Sequence, residues 1–322
     1  MISNKPILVP NQNWRELVPS TEKHFNASYE KAMSFPKVNG IIESEKYVKM
    51  VDCACCGSSN SRQIFVKWNF IHSECNNCDH IYVKNQLRKE ILFDLYETSI
   101  KNDLGLERQS NPHQKSYWLQ VYEKYLMGLL TDIDQDGRSL LDVGCGVGNF
   151  LELAKHKTSM EVFASEFSEA AHEKLKKLIG DKLFYKMELS DIEQQTDKKF
   201  DLIFFWGVLE HLTNPVKNLI AARKLLKVNG QILALVPNFH SRAMQILGVN
   251  TPTLNPVEHL QFFSKSSMNK CAEKACLKVE KKYQELPIID LMHPNIKFSE
   301  SLVLEIMEKK EAYYDIYIFQ HV

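Results

Sequence analysis

The segment from Leu140 to Phe150 constrains the fold of this chain more than any other part of the sequence. It reads LLDVGCGVGNF, so an apolar strand runs into Asp142 and three glycines follow at alternate positions. Glycines at this spacing let the backbone turn tightly and bring its N–H groups close to a ligand. Because a glycine-rich loop alone is a weak indication, the segments around it must decide what the loop holds.

Strand-like and helix-like segments alternate after this loop. The strand-like segments are 160–165, 182–187, 200–205 and 231–236. The third of them is almost continuously apolar, as a buried parallel strand should be. A helix-like segment occupies 169–179, and Asn229-Gly230 indicates a turn before the last strand-like segment. The alternation predicts an α/β fold with a doubly wound, mostly parallel sheet. A ligand of such a sheet binds at the carboxyl ends of the strands, where Gly144, Glu166 and Trp206 fall.

These residues together resemble the class I S-adenosylmethionine-dependent methyltransferases. The motifs that carry the resemblance are LDVGCGVGNF, the acid Glu166, FDLIFFWGVLEHLTNP at 200–215 and LVPN at 235–238. The spacing Gly-x-Gly-x-Gly, in place of Gly-x-Gly-x-x-Gly, favours this family over the nicotinamide dinucleotide enzymes. The resemblance covers roughly residue 117 to the C-terminus. It implies a seven-stranded, mostly parallel sheet whose final two strands form an antiparallel edge.

The resemblance also implies a set of cofactor-binding residues along the carboxyl edge of the sheet. They are Asp142, Gly144, Gly146, Gly148, Glu166, Phe167, Glu188, Leu189 and Trp206. The glycines would approach the methionine part of S-adenosylmethionine, and Asp142 would orient its ammonium group. Glu166 lies 20 residues beyond Gly146 and would bind both ribose hydroxyls.

The remaining implied roles concern the adenine and the methyl group. Phe167 would pack on the adenine, Glu188 would accept from its amino group, and Leu189 would donate a backbone N–H. Asp191 is a rival for the role of Glu188, because the sequence has Met-Glu where the family has Gly-Asp. Trp206 would lie beside the sulfonium that carries the methyl group.

The composition limits the partners that we expect. Lysine plus arginine and aspartate plus glutamate each number 40, so the formal net charge is zero. A neutral chain argues against an extended nucleic-acid footprint, which needs a basic surface. No stretch reaches the roughly 18 to 20 apolar residues of a membrane span, and the N-terminus lacks a signal-peptide core. We therefore expect a cytoplasmic enzyme, monomeric or homodimeric, that does not bind a membrane or nucleic acid.

Four of the eight cysteines form the second strong pattern. Cys53, Cys56, Cys75 and Cys78 follow the spacing C-x2-C-x18-C-x2-C, with strand-like segments between the pairs, as in a zinc ribbon. Four thiolates leave no open position on the ion, so the predicted zinc is structural. Cys55 could replace Cys56 as a ligand. A disulfide framework is the alternative, but a cytosolic chain disfavours it.

The sequence divides into four predicted regions. They are an N-terminal segment 1–46, a zinc ribbon 47–84, a helical linker 85–135 and a class I methyltransferase domain 136–322. The first region has a helix-like segment around 20–33, and it could form a lid, an oligomer contact or an ordered tail. Methyltransferases with an N-terminal four-cysteine ribbon resemble those that act on sugars and other small metabolites. In that group the ribbon would brace the substrate side of the active site.

The predicted activity is methylation of a sugar, nucleotide-sugar or similar intermediate at oxygen, with a histidine as general base. His259 and His211 are the candidate bases, and His240 is a weaker one. A carbon acid such as a keto-sugar is an alternative acceptor, for which Tyr96 could assist. The chain could also be a nucleic-acid or protein modifier that uses the ribbon to read its substrate, or a protein that binds the cofactor without turnover.

Overall fold

The computed structural model of the chain describes residues 2–8, 14–97, 100–131, 135–286 and 299–322. The strands are β1 (Val48–Met50), β2 (Ser61–Lys67), β3 (Phe70–Cys75), β4 (Ile81–Val83), β5 (Asn85–Leu87), β6 (Ser139–Val143), β7 (Glu161–Glu166), β8 (Leu183–Tyr185), β9 (Phe200–Trp206), β10 (Leu226–Pro237), β11 (Gln261–Phe262), β12 (Leu277–Glu285) and β13 (Tyr314–His321). The helices are α1 (Trp14–Leu17), α2 (Ser20–Met33), α3 (Lys89–Glu97), α4 (Ile100–Ser110), α5 (Pro112–Leu129), α6 (Asn149–Lys157), α7 (Glu169–Ile179), α8 (Leu189–Gln195), α9 (Pro215–Leu225), α10 (Arg242–Leu247), α11 (Lys265–Lys274) and α12 (Glu300–Glu308).

A seven-stranded sheet forms the centre of the molecule, in the order β12-β13-β10-β9-β6-β7-β8. Strand β6 pairs in parallel with both β7 and β9, and β10 and β8 extend the parallel part on either side. Strand β13 runs antiparallel to β10 and to β12. This arrangement confirms the predicted doubly wound sheet and its antiparallel edge.

Helices cover both faces of the sheet, which explains the apolar sequence of β9. Successive side chains of a strand point to opposite faces. Leu202 and Phe204 therefore join the core beneath α5, α6 and α7. Ile203 and Phe205 join the core on the other face, beneath α8, α9 and α11. A strand buried on both sides needs an apolar residue at nearly every position.

A smaller sheet carries the cysteine-rich segment and has the order β11-β4-β3-β2. Its edge strand β11 comes from far along the chain and pairs antiparallel with β4. The side chain of Gln261 reinforces this join, because its Nε2 donates to the Leu212 carbonyl at 3.0 Å and its Oε1 lies 2.8 Å from His80 Nε2. The sequence did not predict that residues beyond 260 complete this sheet.

Two strand boundaries differ from the sequence predictions. The third parallel strand, β8, is shorter than the predicted 182–187, and it pairs only with β7 at the sheet edge. Strand β10 begins at Leu226 and passes through Asn229 and Gly230, which the sequence predicted as a turn. The register shifts between Leu226 and Gln231, so this stretch is an irregular part of the strand. A Cβ on Gly230 would lie 2.9 Å from the Asp201 carbonyl oxygen, so close backbone approach requires glycine there.

Other expectations concern regions rather than strands. Helix α2 has the bounds at which the sequence indicated helix, and β5 occupies the start of the segment predicted as a helical linker. The domain boundaries, the oligomeric state and the cytoplasmic location stay predictions. In the described parts of the chain, no helix is long and apolar enough to cross a bilayer.

The junction between the small sheet and the segment after β10 gives a stability prediction. Phe262 is 1% exposed and packs with Ile81 and Leu254. We expect Phe262→Ala to lower the free energy of unfolding by about 3 to 5 kcal/mol, because it removes a buried ring and leaves a cavity. Urea denaturation measures this change. Val228→Ala is the control: its side chain is 83% exposed, and the expected change is within about 0.5 kcal/mol. A loss below about 1 kcal/mol for Phe262→Ala would contradict this account of the junction.

Candidate active site

A cavity of about 650 Å³ opens at the carboxyl ends of β6, β7 and β9. The loop after β6 forms one wall, and helices α2, α3 and α4 contribute side chains to another. The segment after β9, the loop before β11 and the start of β13 complete the lining. This volume lies within the range of small-molecule sites.

The glycine loop follows β6 and carries the backbone conformations that its sequence predicts. Gly144, Gly146 and Gly148 have φ of +65°, +55° and +81°, a region that other residues adopt with strain. The N–H groups of Gly144 and Cys145 donate to the Ser165 carbonyl at 2.9 and 3.1 Å. These bonds hold the loop against the end of β7, and Gly148 begins α6.

Glu166 connects the glycine loop to the start of α7. Its Oε2 accepts from the Gly146 N–H at 2.7 Å, and its Oε1 accepts from the N–H groups of Phe167 and Ser168 at 2.8 Å each. Bonds to a charged acceptor are among the stronger hydrogen bonds in proteins. The carboxylate therefore has a fixed orientation at the cavity wall, where the sequence placed a ribose ligand.

Asp142 lies deeper, at the end of β6, and is 1% exposed. Its Oδ1 is buried and accepts no hydrogen bond from the residues that the structure describes. Burial raises the pKa of this carboxyl well above its usual range, and the nearby charge of Glu166 adds to the effect. A buried carboxylate without a partner is costly unless a cation satisfies it. The side chain lines the cavity, so it fits the ammonium group of S-adenosylmethionine.

Helix α4 lies over the glycine loop, and the sequence did not indicate this. The side-chain Oε1 of Gln109 accepts from the Val147 N–H at 3.2 Å. The backbone carbonyl of Gln109 accepts from Asn149 Nδ2 at 2.8 Å. A Cβ on Gly146 would lie 2.2 Å from Gln109 Oε1. That oxygen is the end of a flexible side chain and can move aside, so the positive φ of Gly146, rather than this contact, is what favours glycine there.

The residues predicted at the adenine end meet on the cavity wall. Phe167 stacks on Phe93 of α3, with ring centroids 5.4 Å apart and planes 19° apart. Glu188 lines the cavity beside the buried Leu189 and pairs with Lys89 at 2.5 Å.

Of the two rival acids, only Glu188 belongs to this wall. Asp191 instead caps helix α8, because its Oδ2 accepts from the Glu188 N–H at 3.2 Å. Glu188 is the N-cap of the same helix and belongs to the same capping box, so the two acids differ only in that Glu188 also lines the cavity.

Trp206 ends β9 and lines the cavity. Its ring is held by aromatic neighbours: Tyr122 lies 4.8 Å away between centroids, Phe150 lies 5.5 Å away, and Phe204 is stacked at 5.7 Å. This packing holds the indole against α5 and the start of α6. Trp206 lies two residues beyond Phe204, which pairs with Asp142 on the neighbouring strand.

The two candidate bases line the same cavity and lie next to each other. The rings of His211 and His259 are 4.7 Å apart between centroids and nearly perpendicular, at 82°. His211 Nδ1 lies 3.0 Å from the Tyr96 hydroxyl, and His259 Nδ1 lies 2.7 Å from the Thr253 carbonyl. His240 is not among the described residues that line the cavity.

Comparison with known proteins places these observations in a family. The family model described as "Methyltransferase domain" matches residues 114–282, about half of the chain. The chain belongs to this family. With the strand order of the large sheet, the match identifies a class I S-adenosylmethionine-dependent methyltransferase, as the motifs predicted.

Individual relatives of this methyltransferase match only parts of it. It is 31% identical over 100 residues to a tRNA U34 carboxymethyltransferase of Vibrio cholerae serotype O1. This alignment covers 30% of this chain and 31% of that protein. It is 28% identical over 134 residues to a ubiquinone biosynthesis O-methyltransferase of Ruegeria sp. (strain TM1040). This alignment covers 40% of this chain and 54% of that protein. The methyltransferase thus spans about a third to a half of the length of these curated relatives.

Among solved structures, a SAM-dependent methyltransferase from Archaeoglobus fulgidus aligns with a TM-score of 0.48 and 18% identity. The alignment covers 64% of this chain and 93% of that one.

Several lining residues of the methyltransferase were not found by sequence reasoning. His24 of α2 contacts Glu258 through Nε2 and Oε1 at 2.8 Å, and both side chains are buried. Arg108 of α4 also lines the cavity, and within the described ranges its buried Nε has no hydrogen-bond partner. Neither residue lies in a motif. Only their location in segments flanking the core indicated a role in substrate recognition.

Glu210 precedes His211 in the turn after β9 and is 2% exposed. Burial raises the pKa of this carboxyl to about 8. Its Oε2 is buried and has no hydrogen-bond partner among residues whose placement is described. One ligand atom each from Glu210, His211 and His259 lies within 4.8 Å of the other two.

The four cysteines of the predicted ribbon also meet. Their sulfur atoms lie within 4.8 Å of one another, with Cys53 and Cys78 3.5 Å apart and Cys56 and Cys75 3.4 Å apart. A tetrahedral zinc site with bonds of about 2.3 Å has sulfur–sulfur edges of about 3.8 Å, so the cluster is near that size. Cys55 is not in the cluster: it is fully buried, with Cys271 of α11 close by.

The position of Asp142 gives a prediction for cofactor binding. We expect Asp142→Asn to weaken S-adenosylmethionine binding about tenfold or more, because the neutral amide loses a charge-assisted bond to the ammonium group. Isothermal titration calorimetry with S-adenosylmethionine measures this change. Asp191→Asn is the matched control and should bind within about twofold of the parent, since this side chain caps α8. Equal affinity in all three proteins would contradict the assignment.

Proposed function

We propose that this methyltransferase transfers a methyl group to an oxygen of a small molecule, such as a sugar, a nucleotide-sugar or a similar biosynthetic intermediate. The observation that carries the proposal is the continuity of one cavity from Asp142 to the pair His211 and His259. The proposed cofactor-binding groups and the two imidazoles line this one cavity. That arrangement suits a donor and a hydroxyl acceptor bound side by side.

Bound S-adenosylmethionine supplies an electrophilic methyl group. In this proposal Asp142 binds its ammonium group, and Glu166 accepts from the ribose hydroxyls. Glu188 and the backbone N–H of Leu189 recognise the adenine, which lies against Phe167. The loop glycines let the backbone approach the methionine part. The packed ring of Trp206 excludes water near the sulfonium.

A histidine removes the acceptor proton as the methyl group arrives. His259 is the first candidate, because an Nδ1–H that donates to the Thr253 carbonyl makes Nε2 the basic atom. His211 is the second, and its Nδ1 contacts Tyr96. The remaining requirement is positional: the acceptor oxygen must approach the methyl group in line.

The contact between Tyr96 and His211 favours a second candidate, methylation at a carbon next to a carbonyl, as in a keto-sugar. Burial raises the pKa of the Tyr96 hydroxyl well above its usual value, so this group stays protonated. A neutral phenol can donate to a carbonyl oxygen while a histidine takes the α-proton. A panel that includes keto-sugars separates the two reactions by the position of the new methyl group.

We also propose that Cys53, Cys56, Cys75 and Cys78 hold a structural zinc ion. The proximity of the sulfur atoms supports this, and four thiolates would leave no position for substrate. Metal binding would contribute to the folding of the small sheet, because the ligands join the segment before β2 to the end of β3. The ion would stabilise β4 and, through it, β11.

The zinc proposal predicts a change in metal content. The purified protein should contain a zinc ion at the four cysteines, and Cys75→Ser should lose it, because a serine hydroxyl is a poor replacement for thiolate. Elemental analysis of dialysed protein measures the loss. Cys276→Ser is the control: this cysteine is exposed and lies outside the cluster. If Cys75→Ser kept the full zinc content, the assignment would be wrong.

The histidine proposal predicts a loss of turnover. We expect His259→Ala or His211→Ala to reduce kcat about 100-fold or more, the usual contribution of a general base. Affinity for S-adenosylmethionine should stay the same. The assay is transfer of labelled methyl to a panel of nucleotide-sugars, keto-sugars and phenols, with His240→Ala as the control. Turnover on tRNA or protein alone would instead support a macromolecular acceptor.

A further inference from the structure

We propose that Glu210, His211 and His259 bind one divalent first-row metal ion at the acceptor end of the cavity. The proposal rests on the proposed function, since it identifies how that site would hold a hydroxyl acceptor. Two imidazoles and a carboxylate are a donor set that divalent zinc, iron, manganese and cobalt all accept. Three protein ligands also leave positions open on the ion, as catalytic metal sites require.

The backbone brings the three ligands together from two segments. Glu210 and His211 are adjacent in the turn after β9, and His259 lies in the loop before β11. The Leu260 N–H donates to the Glu210 carbonyl at 2.7 Å and so joins the two segments directly. As a result the three ligand atoms lie within 4.8 Å of one another.

The contacts of the two rings resemble those around metal-bound histidines. Such histidines donate the other ring N–H to a carbonyl or a similar acceptor, which fixes the ring orientation. His259 Nδ1 meets the Thr253 carbonyl at 2.7 Å, and His211 Nδ1 meets the Tyr96 oxygen at 3.0 Å. The Tyr96 hydroxyl can in turn donate to the Glu258 carbonyl at 3.4 Å. Both rings would therefore coordinate through Nε2.

The burial of the Glu210 carboxyl group points to a bound cation. Its carboxyl group is 2% exposed, and across the described ranges its Oε2 has no hydrogen-bond partner and no lysine or arginine pairs with it. Glu258, the other acid nearby, already contacts His24. A buried carboxyl group beside two imidazoles lacks a positive charge, and a metal ion would provide one.

The ion would bind the acceptor oxygen and lower the pKa of its hydroxyl. The methyl group then passes from the sulfonium sulfur to that oxygen, the sulfur keeps the electron pair of the broken bond, and the hydroxyl proton leaves to solvent. In the metal-loaded protein the two histidines hold the ion. The direct general-base role described above then applies to the metal-free protein.

Cobalt(II) titration of the 322-residue chain, after its cysteines have been loaded with zinc, tests the site without knowledge of the acceptor. We expect one cobalt ion per chain with the weak visible bands of nitrogen and oxygen ligands. Glu210→Gln and His259→Ala should each weaken cobalt binding at least about tenfold, as should Tyr96→Phe, which removes an outer hydrogen bond. His240→Ala is the control and should bind cobalt like the parent. Retained S-adenosylmethionine affinity would show that each variant is folded.

Two results would overturn the metal site. One is a titration in which the single signal is an intense thiolate-to-cobalt band. That band would show that cobalt had replaced zinc at the cysteines. The other is cobalt binding that Glu210→Gln and His259→Ala leave unchanged. The proposed function fails on different measurements, namely S-adenosylmethionine binding and turnover of the small-molecule panel. Cobalt binding without turnover would therefore support the metal site and contradict the proposed function.

Discussion

The parallel pairing of β6 with β7 and β9 is the constraint on which the rest of this methyltransferase depends. Parallel strands in register end at one edge of the sheet, so Asp142, Glu166 and Trp206 lie on a single wall. Glu166 then connects this edge to the loop and to α7 through three backbone N–H groups, including that of Gly146. In the proposed function, the ammonium group of S-adenosylmethionine would balance the buried carboxyl group of Asp142.

The acceptor half of the cavity depends on the small cysteine-rich sheet. Leu260 connects the two, since its N–H donates to the Glu210 carbonyl at 2.7 Å and its carbonyl accepts from the Val83 N–H at 3.0 Å. Val83 belongs to β4, which pairs with β11 just beyond His259. A change at the cysteines can therefore displace His259 without touching the cofactor end. Through this connection, the proposed zinc ion would stabilise residues of the acceptor site.

Local sequence patterns predicted the elements of the large sheet with few errors. Helices α2 and α7 have the bounds that the sequence indicated, because periodic apolar residues and a capping Ser168 are local signals. The wrong predictions occur where a strand contacts a segment that is distant in the sequence. Strand β10 continues through Asn229 and Gly230 because the adjacent backbone of Asp201 packs against the glycine. Turn propensity alone could not reveal that contact.

The sequence by itself determined the class of fold, the methyl donor and the four cysteines that meet, because each depends on spacing within a short stretch of chain. Tertiary structure alone decided which acid faces the cavity, Glu188 rather than Asp191, and which cysteine stays outside the cluster. It also decided that α2 and α4 cover the site, and that His259 lies beside His211. These are contacts between segments far apart in the chain, set by how helices and loops pack on the finished sheet, and no local pattern encodes them.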